Sequence, residues 1–414
     1  MTDRKMPTEE LALLLMCRPD TISETDLCAI SATEWSRILD WATEHRFAPY
    51  LHYNLSQVAL AERLPENVAA DLAGAYRRAT IRALAMQRDM IQTSSILELA
   101  GIPHLFMKGA YLARFAYPEL GLRPLRDLDV LVPRSAGMDA FNALLDSGLE
   151  RKAMQQGNPE AHLDERKHLP PLRYRNGATV EVHTMTTAPS RFLRIDREQG
   201  SYENLARRLV RRDVAGKSIC FEGPEDLVLH LCVHAAIDHQ FNNGPLILSD
   251  VGWLLEKHEI DWDLLWKLAV DQGAMRGLAL VLRLVEREWP AIDIDWGDSH
   301  SKLLAPDEPI ITVASRSLLR SFALRGDVAL QAELDGQQSL GAKFGSLFRR
   351  TFPRRVDLAR EVPVAANSPW IFAYYPVKWW RLRRRLSNFI RSSFDPRARS
   401  DAERVGELSN WLQG

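Results

Sequence analysis

Residues 123–133 read "RPLRDLDVLVP", and the fold turns on how this stretch is read. Asp127 and Asp129 alternate with Leu128 and Val130 in a strand-like run, just inboard of Arg123 and Arg126. Side chains alternate across a strand, so residues two apart share a face, and like charges side by side on it repel. The pair therefore requires a compensating cation. Oxygen ligands of this kind suit Mg²⁺, which takes one or two protein carboxylates together with substrate phosphates. Two-metal phosphoryl chemistry needs carboxylates that bridge ions roughly 3.5–4 Å apart, and a D-x-D strand supplies them. The alternative without a metal is a pair of strand-end acids bridged to Arg123, Arg126 or Arg134. D-x-D alone does not decide between them.

The neighbouring segments add parts to the same chemistry. Upstream, "IPHLFMKG" (102–109) is a short apolar run ending in Gly109, and "FMKGAYLAR" places Gly109 at the start of a short helix. Amides at such a start take a phosphate, and Lys108 adds a point charge against a triphosphate. Downstream, "SAGMDAFNALLDSG" (135–148) is a helix with Ser135 as its cap and Gly148 as its stop. "PLRYRNGATVEVHTM" (171–185) is two alternating runs joined by Asn176-Gly177, a hairpin signal. Glu181 and His183 share a face of its second strand. Glu181 is the candidate third carboxylate, with a cross-strand partnership to Arg173 or Arg175 as its structural alternative.

Further out, the pattern is helical. Residues 8–99 repeat apolar positions at three and four spacing, with Ser31 and Glu34 forming a capping box. After Gly223 helical spacing returns, with Pro224 in a first turn and Gly273 as a break. The expected class is α+β, a small mixed-sheet core flanked by N-terminal and C-terminal helical segments. Expected units are an N-terminal helical region (1–99), the core (100–222), a helical domain (223–335) and a basic, aromatic C-terminal region (336–414).

Composition bounds the function. A chain of 414 residues with 46% hydrophobic content fills two or three domain cores. A formal net charge of −1 excludes a surface built throughout for nucleic acid. The 4 cysteines are scattered without CxxC, so neither a disulfide framework nor a zinc site is indicated. With no run of about 18 apolar residues and no signal-peptide pattern, the expected location is the cytoplasm.

"LFMKGAYLA" (105–113), "YPELGLRPLRDLDVLV" (117–132), "VEVH" (180–183), "LVLHLCVHAAIDH" (227–239) and "SDVGWLL" (249–255) together resemble a known family. They are similar to the uncharacterised nucleotidyltransferases, family 5, of the DNA polymerase β-like superfamily. The resemblance runs from the N-terminal helices to about residue 290. It implies a polymerase β-like core, a glycine turn for the triphosphate and Asp127 and Asp129 as metal ligands. It further implies transfer of a nucleoside monophosphate with loss of pyrophosphate. The turn here is Gly109-Ala110 preceded by Lys108, where the wider superfamily favours Gly-Ser or Gly-Gly. The third acid is Glu181 where many relatives carry Asp.

The expected function is therefore transfer of a nucleotidyl group from an NTP, with ATP as the first candidate, to an unknown acceptor hydroxyl. Asp127, Asp129 and Glu181 are its catalytic residues and ligands to Mg²⁺, with Mn²⁺ as the alternative ion. Lys108, Gly109, Arg123, His183 and His234 are its nucleotide-binding residues. His230 and His234 have the spacing of zinc ligands, but H-E-x-x-H is absent and packing against neighbouring helices is the plainer account. Trp379, Trp380 and Phe389 interleave with Arg381, Arg383, Arg384, Arg385 and Arg391. That run is a solvated face, or a surface for an anionic partner such as RNA, an acceptor or a membrane. Rival functions are a non-catalytic nucleotide- or partner-binding accessory protein on this fold, and an RNA-modifying transferase or toxin.

Overall fold

A computed structural model describes residues 8–17, 24–57, 62, 64–151, 158–187, 198–289, 291–297, 308–320, 345, 348, 351–359, 362, 364, 367–380 and 396–413. The helical lead-in comprises α1 (Thr8–Cys17), α2 (Glu24–Cys28), α3 (Ala32–Glu44), α4 (Ala48–Gln57) and α5 (Glu66–Leu99). Helix α3 opens with the expected capping box: the Ser31 hydroxyl accepts from the Glu34 amide, and the Glu34 carboxylate accepts from the Ser31 amide at 3.0 Å.

Seven short strands follow: β1 (Leu105–Phe106), β2 (Asp127–Leu131), β3 (Glu150–Arg151), β4 (Leu172–Arg173), β5 (Thr179–His183), β6 (Val210–Val214) and β7 (Lys217–Phe221). Among the described residues they form one sheet, ordered β3-β4-β5-β2-β1-β7-β6. It is mixed. β2 runs parallel to β5 and β1 parallel to β7, while the remaining neighbours are antiparallel. The chain is thus α+β. Between β1 and β2 lie α6 (Gly109–Tyr111) and a π-helical turn (Leu112–Ala116). Helix α7 (Gly137–Asp146) follows β2, α8 (Pro159–Glu165) precedes β4 and α9 (Tyr202–Leu205) precedes β6.

Alternation fixes what each face of the sheet does. Leu128, Val130, Val180 and Val182 belong to one continuous apolar cluster with Met86 and Met90 of α5 and Phe141 and Leu144 of α7. The opposite face carries Asp127 and Asp129 on β2 and Glu181 and His183 on β5. Register pairs Asp127 with Thr179, Asp129 with Glu181, and Leu131 with His183. A buried helical layer is completed by α10 (Pro224–Val233), a π-helical turn (His234–Asp238), α11 (Leu246–Lys257), α12 (Trp262–Asp271) and α13 (Met275–Glu288). Among the described residues no helix is long and apolar enough to cross a membrane.

Several local expectations need correction. Ser135 does not cap α7; it lies in a 3-10 turn (Arg134–Ala136), and Ala136 precedes the helix without a side-chain cap. Gly148 does end α7, at φ +92°, and Gly273 ends α12 at φ +65°. Only two residues of 102–109 pair as a strand, because β2 and β7 meet β1 over that span alone. The Asn176-Gly177 hairpin is present, with the Gly177 amide donating to the Tyr174 carbonyl at 3.2 Å. The β6–β7 hairpin had no counterpart in the sequence reading; it turns through Ala215 and Gly216, both at positive φ.

Candidate active site

A cavity of about 780 Å³ opens on the polar face of β2 and β5. Asp127, Asp129 and Glu181 all line it, together with Lys108, Gly109, Arg123 and His234. The two aspartates thus share one environment, and no ion pair joins either of them to Arg123, Arg126 or Arg134 among the described residues.

The aspartates differ in how their charge is met. Asp129 is buried between Lys108 Nζ, 3.0 Å from its Oδ2, and His183 Nε2, 2.8 Å from its Oδ1. Burial would raise its pKa, but Lys108 and then His183 hold it well below the usual carboxylate range. His183 is fully buried; burial would lower it, yet the Asp129 carboxylate raises it. Asp127 has no such partner. Burial, then Asp129 and Glu181, push it up to about 6, with Lys108 and Arg123 opposing. Two acids on one strand face, with a third opposite, raise the least compensated of them in this way.

Glu181 lies beside His183 and His168, with its Oε2 3.6 Å from His183 Nε2 and 3.7 Å from His168 Nε2. It does not pair with Arg173 or Arg175. Burial would raise its pKa, but the His183 and His168 contacts lower it. Asp129, Glu181 and His183 each offer a ligand atom, all within 4.8 Å of one another, and form the metal-competent cluster found among the described residues. Two carboxylates and an imidazole, with Asp127 alongside, are a donor set that fits a divalent ion.

Lys108 joins β1 to α6 in a conformation few side chains adopt, φ 49° and ψ −118°. Such a residue costs about 1–3 kcal/mol and persists only when its surroundings impose it. Glu222, fully buried at the end of β7, accepts from the Lys108 amide at 2.6 Å and lies 3.0 Å from His230 Nδ1. An added Cβ at Gly109 would lie 2.7 Å from Leu125 Cδ2 and 3.1 Å from Arg123 Nη1, so it would push these side-chain ends aside. The Ala110 and Tyr111 amides already donate to the Met107 and Lys108 carbonyls, at 3.3 and 3.1 Å, so the Gly109 amide is the donor that this turn leaves for a ligand.

Arg123 is gripped by Asp250 of α11, with Nε 3.1 Å and Nη2 2.9 Å from its two carboxylate oxygens. Tyr117 Oη also donates to Asp250, at 2.8 Å. Arg46, from the α3–α4 connection, extends this basic wall into the cavity. Its Nε is buried without a hydrogen-bond partner, and burial, then Arg123 and Arg126, lower it to about 10. His234 lines the cavity and pairs with Asp238 at 3.2 Å across the π turn, where Asp238 also meets Lys167 at 2.9 Å. His230 and His234 thus serve different partners and do not converge on one ion.

Sequence reading missed four residues here. Asp250 stood in the quoted "SDVGWLL" without a role, and Glu222 went unread with the β7 strand that it follows. His168 sits in a loop bridged to His183, and Arg46 carries no motif. Arg381, Arg383, Arg384, Arg385, Phe389 and Arg391 lie outside the described residues. Trp379 and Trp380 are described and partly exposed, and Trp379 Nε1 donates to the Thr351 carbonyl at 2.9 Å.

The buried histidines set an acid limit on stability. Burial is the main cause holding His104, His168, His230 and His234 below the ordinary imidazole value, His168 at about 4. The unfolded chain then binds more protons below about pH 6.5, so their contribution is lost as pH falls through that value. His183 and Asp127, both raised, act in the opposite sense. His52 and His258 are lowered by burial as well and Asp226 is raised, so six groups against three predict a lower denaturation midpoint at pH 5.5 than at pH 7.5, measured in chelator. An unchanged or higher midpoint on acidification would show that the raised groups dominate.

No curated protein matches the chain in sequence. A family model described as an uncharacterised nucleotidyltransferase matches residues 31–290, more than half of the chain, and spans all seven strands and the cavity. The mixed sheet fits the polymerase β-like core of that family. Membership implies a nucleotide substrate and, at that level, transferase activity. With this match added to an acidic β2–β5 face and a Lys-Gly turn, the chain belongs to the uncharacterised nucleotidyltransferase family.

Proposed function

We propose that the chain transfers a nucleoside monophosphate from ATP, or another NTP, to an acceptor hydroxyl with release of pyrophosphate. The observation that carries the reading is the convergence of Asp127, Asp129 and Glu181 in one cavity with Lys108, Gly109 and Arg123. Mg²⁺ or Mn²⁺, held by Asp127, Asp129 and Glu181, would supply charge neutralisation at the α-phosphate and the leaving group.

The chain's own groups do the remainder. The Gly109 turn, Lys108 and Arg123 bind and orient the triphosphate, which converts much of the barrier into prior positioning. Glu181 takes the proton of the acceptor hydroxyl as its oxygen bonds to the α-phosphorus and the bond to pyrophosphate breaks. His183 orients Asp129 and Glu181 from the buried side. His234, held by Asp238, faces the bound nucleotide.

Arg46 extends the phosphate contacts. A charge-assisted hydrogen bond contributes about 1.5–3 kcal/mol, so Arg46→Gln is expected to weaken MgATP binding about tenfold or more. Calorimetric titration measures this. Because Arg46 Nε has no hydrogen-bond partner, thermal stability should hold or rise, and an unchanged affinity would remove Arg46 from the site.

The direct test of the function incubates the protein with α-labelled ATP, Mg²⁺ and fractionated cell extract. Label passing to one fraction, with matching pyrophosphate, is the expected result. MgATP binding with no label transferred and no pyrophosphate released would instead describe a nucleotide-binding accessory protein.

A further inference from the structure

A second cavity, of about 580 Å³, adjoins the first. Arg82 of α5, Arg126, Arg173 of β4 and Arg175 line it, and no acidic side chain does so among the described residues. Four guanidiniums facing one space raise a positive potential that an anion relieves. Their planar forks match phosphate oxygens in pairs. The volume lies within the usual range for a small-molecule site, about 300–1,000 Å³.

The groove is built into the fold. Its floor is the β4–β5 turn, which Asp89 of α5 ties down by accepting from the Ala178 amide at 2.7 Å. Tyr174 Oη meets Thr93 Oγ1 of α5 at 2.9 Å. A side chain at Gly177 would collide with the Asp89 carboxylate, so the close approach requires glycine. Arg173 Nη2 donates to the Arg175 carbonyl at 3.3 Å, which leaves its other donors for a ligand.

Its position relates it to the chemistry. Arg126 lines both cavities, and Thr179, in the groove wall, is the register partner of Asp127. Lys108, Gly109, Arg123 and Arg46 already supply a basic wall for the triphosphate in the first cavity. A second basic space at the far edge of the same acids is left for the other substrate.

We infer that the acceptor carries phosphate, and that Arg82, Arg173 and Arg175 hold that phosphate while its hydroxyl reaches the acids through the Arg126 junction. This rests on the nucleotidyl-transfer reading above. A nucleic-acid strand and a small phosphorylated compound offer the same chemistry, and the experiment separates them.

Binding of a short single-stranded RNA and of ribose 5-phosphate is measured for the wild type and for Arg82→Gln/Arg173→Gln/Arg175→Gln, at several salt concentrations. MgATP binding is measured on the same samples. The wild type is expected to bind at least one probe, and the triple variant to lose about tenfold or more at low salt. If RNA is the ligand, the log–log salt slope should fall by about 2 for three lost contacts. Ribose 5-phosphate binding points to a small acceptor, and RNA binding alone to a strand. Wild type that binds neither probe, or a triple variant that binds as wild type does, overturns the inference. Should the probes behave as expected while MgATP fails to bind, the phosphate groove stands and the nucleotidyl-transfer reading falls. If the triple variant does not fold, Arg82→Gln on the exposed side of α5 replaces it under the same criteria.

Discussion

Asp127→Asn is expected to lower pyrophosphate release by about 10³-fold while the melting temperature holds or rises. Asp129→Asn should lose activity to a similar degree and also lose stability. The contrast follows from their partners. Asp127 sits in the cavity with no ion pair, held at about 6 by burial and by the neighbouring acids, so neutralising it relieves repulsion in the metal-free fold. Asp129 is the carboxylate that meets Lys108 and His183, and both lose their counter-charge when it is neutral. Breaking a buried pair in this way costs about 3–5 kcal/mol. The measurements are turnover with the labelled acceptor fraction, and thermal denaturation in chelator. Unchanged turnover in Asp127→Asn would remove transfer chemistry from this cavity. A shared loss of stability would mean that both acids are structural.

How far this site was legible follows from the kind of signal each residue sends. Asp127, Asp129 and Glu181 were readable because a strand puts alternate side chains on one face, and paired acids there need an explanation. Gly109 was readable because it breaks an apolar run. Register could not be read: that Asp129 lies opposite Glu181, and Leu131 opposite His183, depends on a parallel pairing across a crossover. Arg123 was expected near the phosphates and lines the cavity, but its Asp250 partner lies 127 positions away. Arg46 and the groove arginines sit on a helix, in loops and on the two-residue strand β4, where charged residues are common and carry no period. The β6–β7 hairpin escaped notice because β6 carries Arg211, Arg212 and Asp213 in a row, which breaks the apolar alternation, and its turn opens on Ala215 rather than a residue that favours positive φ.

The second large effect is expected at Glu222, a residue outside the cavity. Glu222→Ala should destabilise the fold by about 1–3 kcal/mol for each donor left without an acceptor, with Glu222→Gln costing less. Glu222 is fully buried and serves two donors at once, the Lys108 amide at 2.6 Å and His230 Nδ1 at 3.0 Å. Alanine leaves both without an acceptor, beside a His230 Nε2 that already has no hydrogen-bond partner. Glutamine keeps an oxygen for the Lys108 amide but turns a donor, not an acceptor, toward His230 Nδ1. The consequence extends to the site, because the Glu222 contact is what opposes relaxation of Lys108 from its φ of 49°. A relaxed Lys108 withdraws its ammonium from Asp129 and alters the turn that presents the Gly109 amide. Glu222→Gln should therefore fold and yet bind MgATP more weakly, by about tenfold for one misplaced charged contact. Denaturant titration and calorimetry on the same two variants separate these effects. If Glu222→Gln binds MgATP as wild type does, the strained turn is held by packing alone and the carboxylate has no part in shaping the phosphate site.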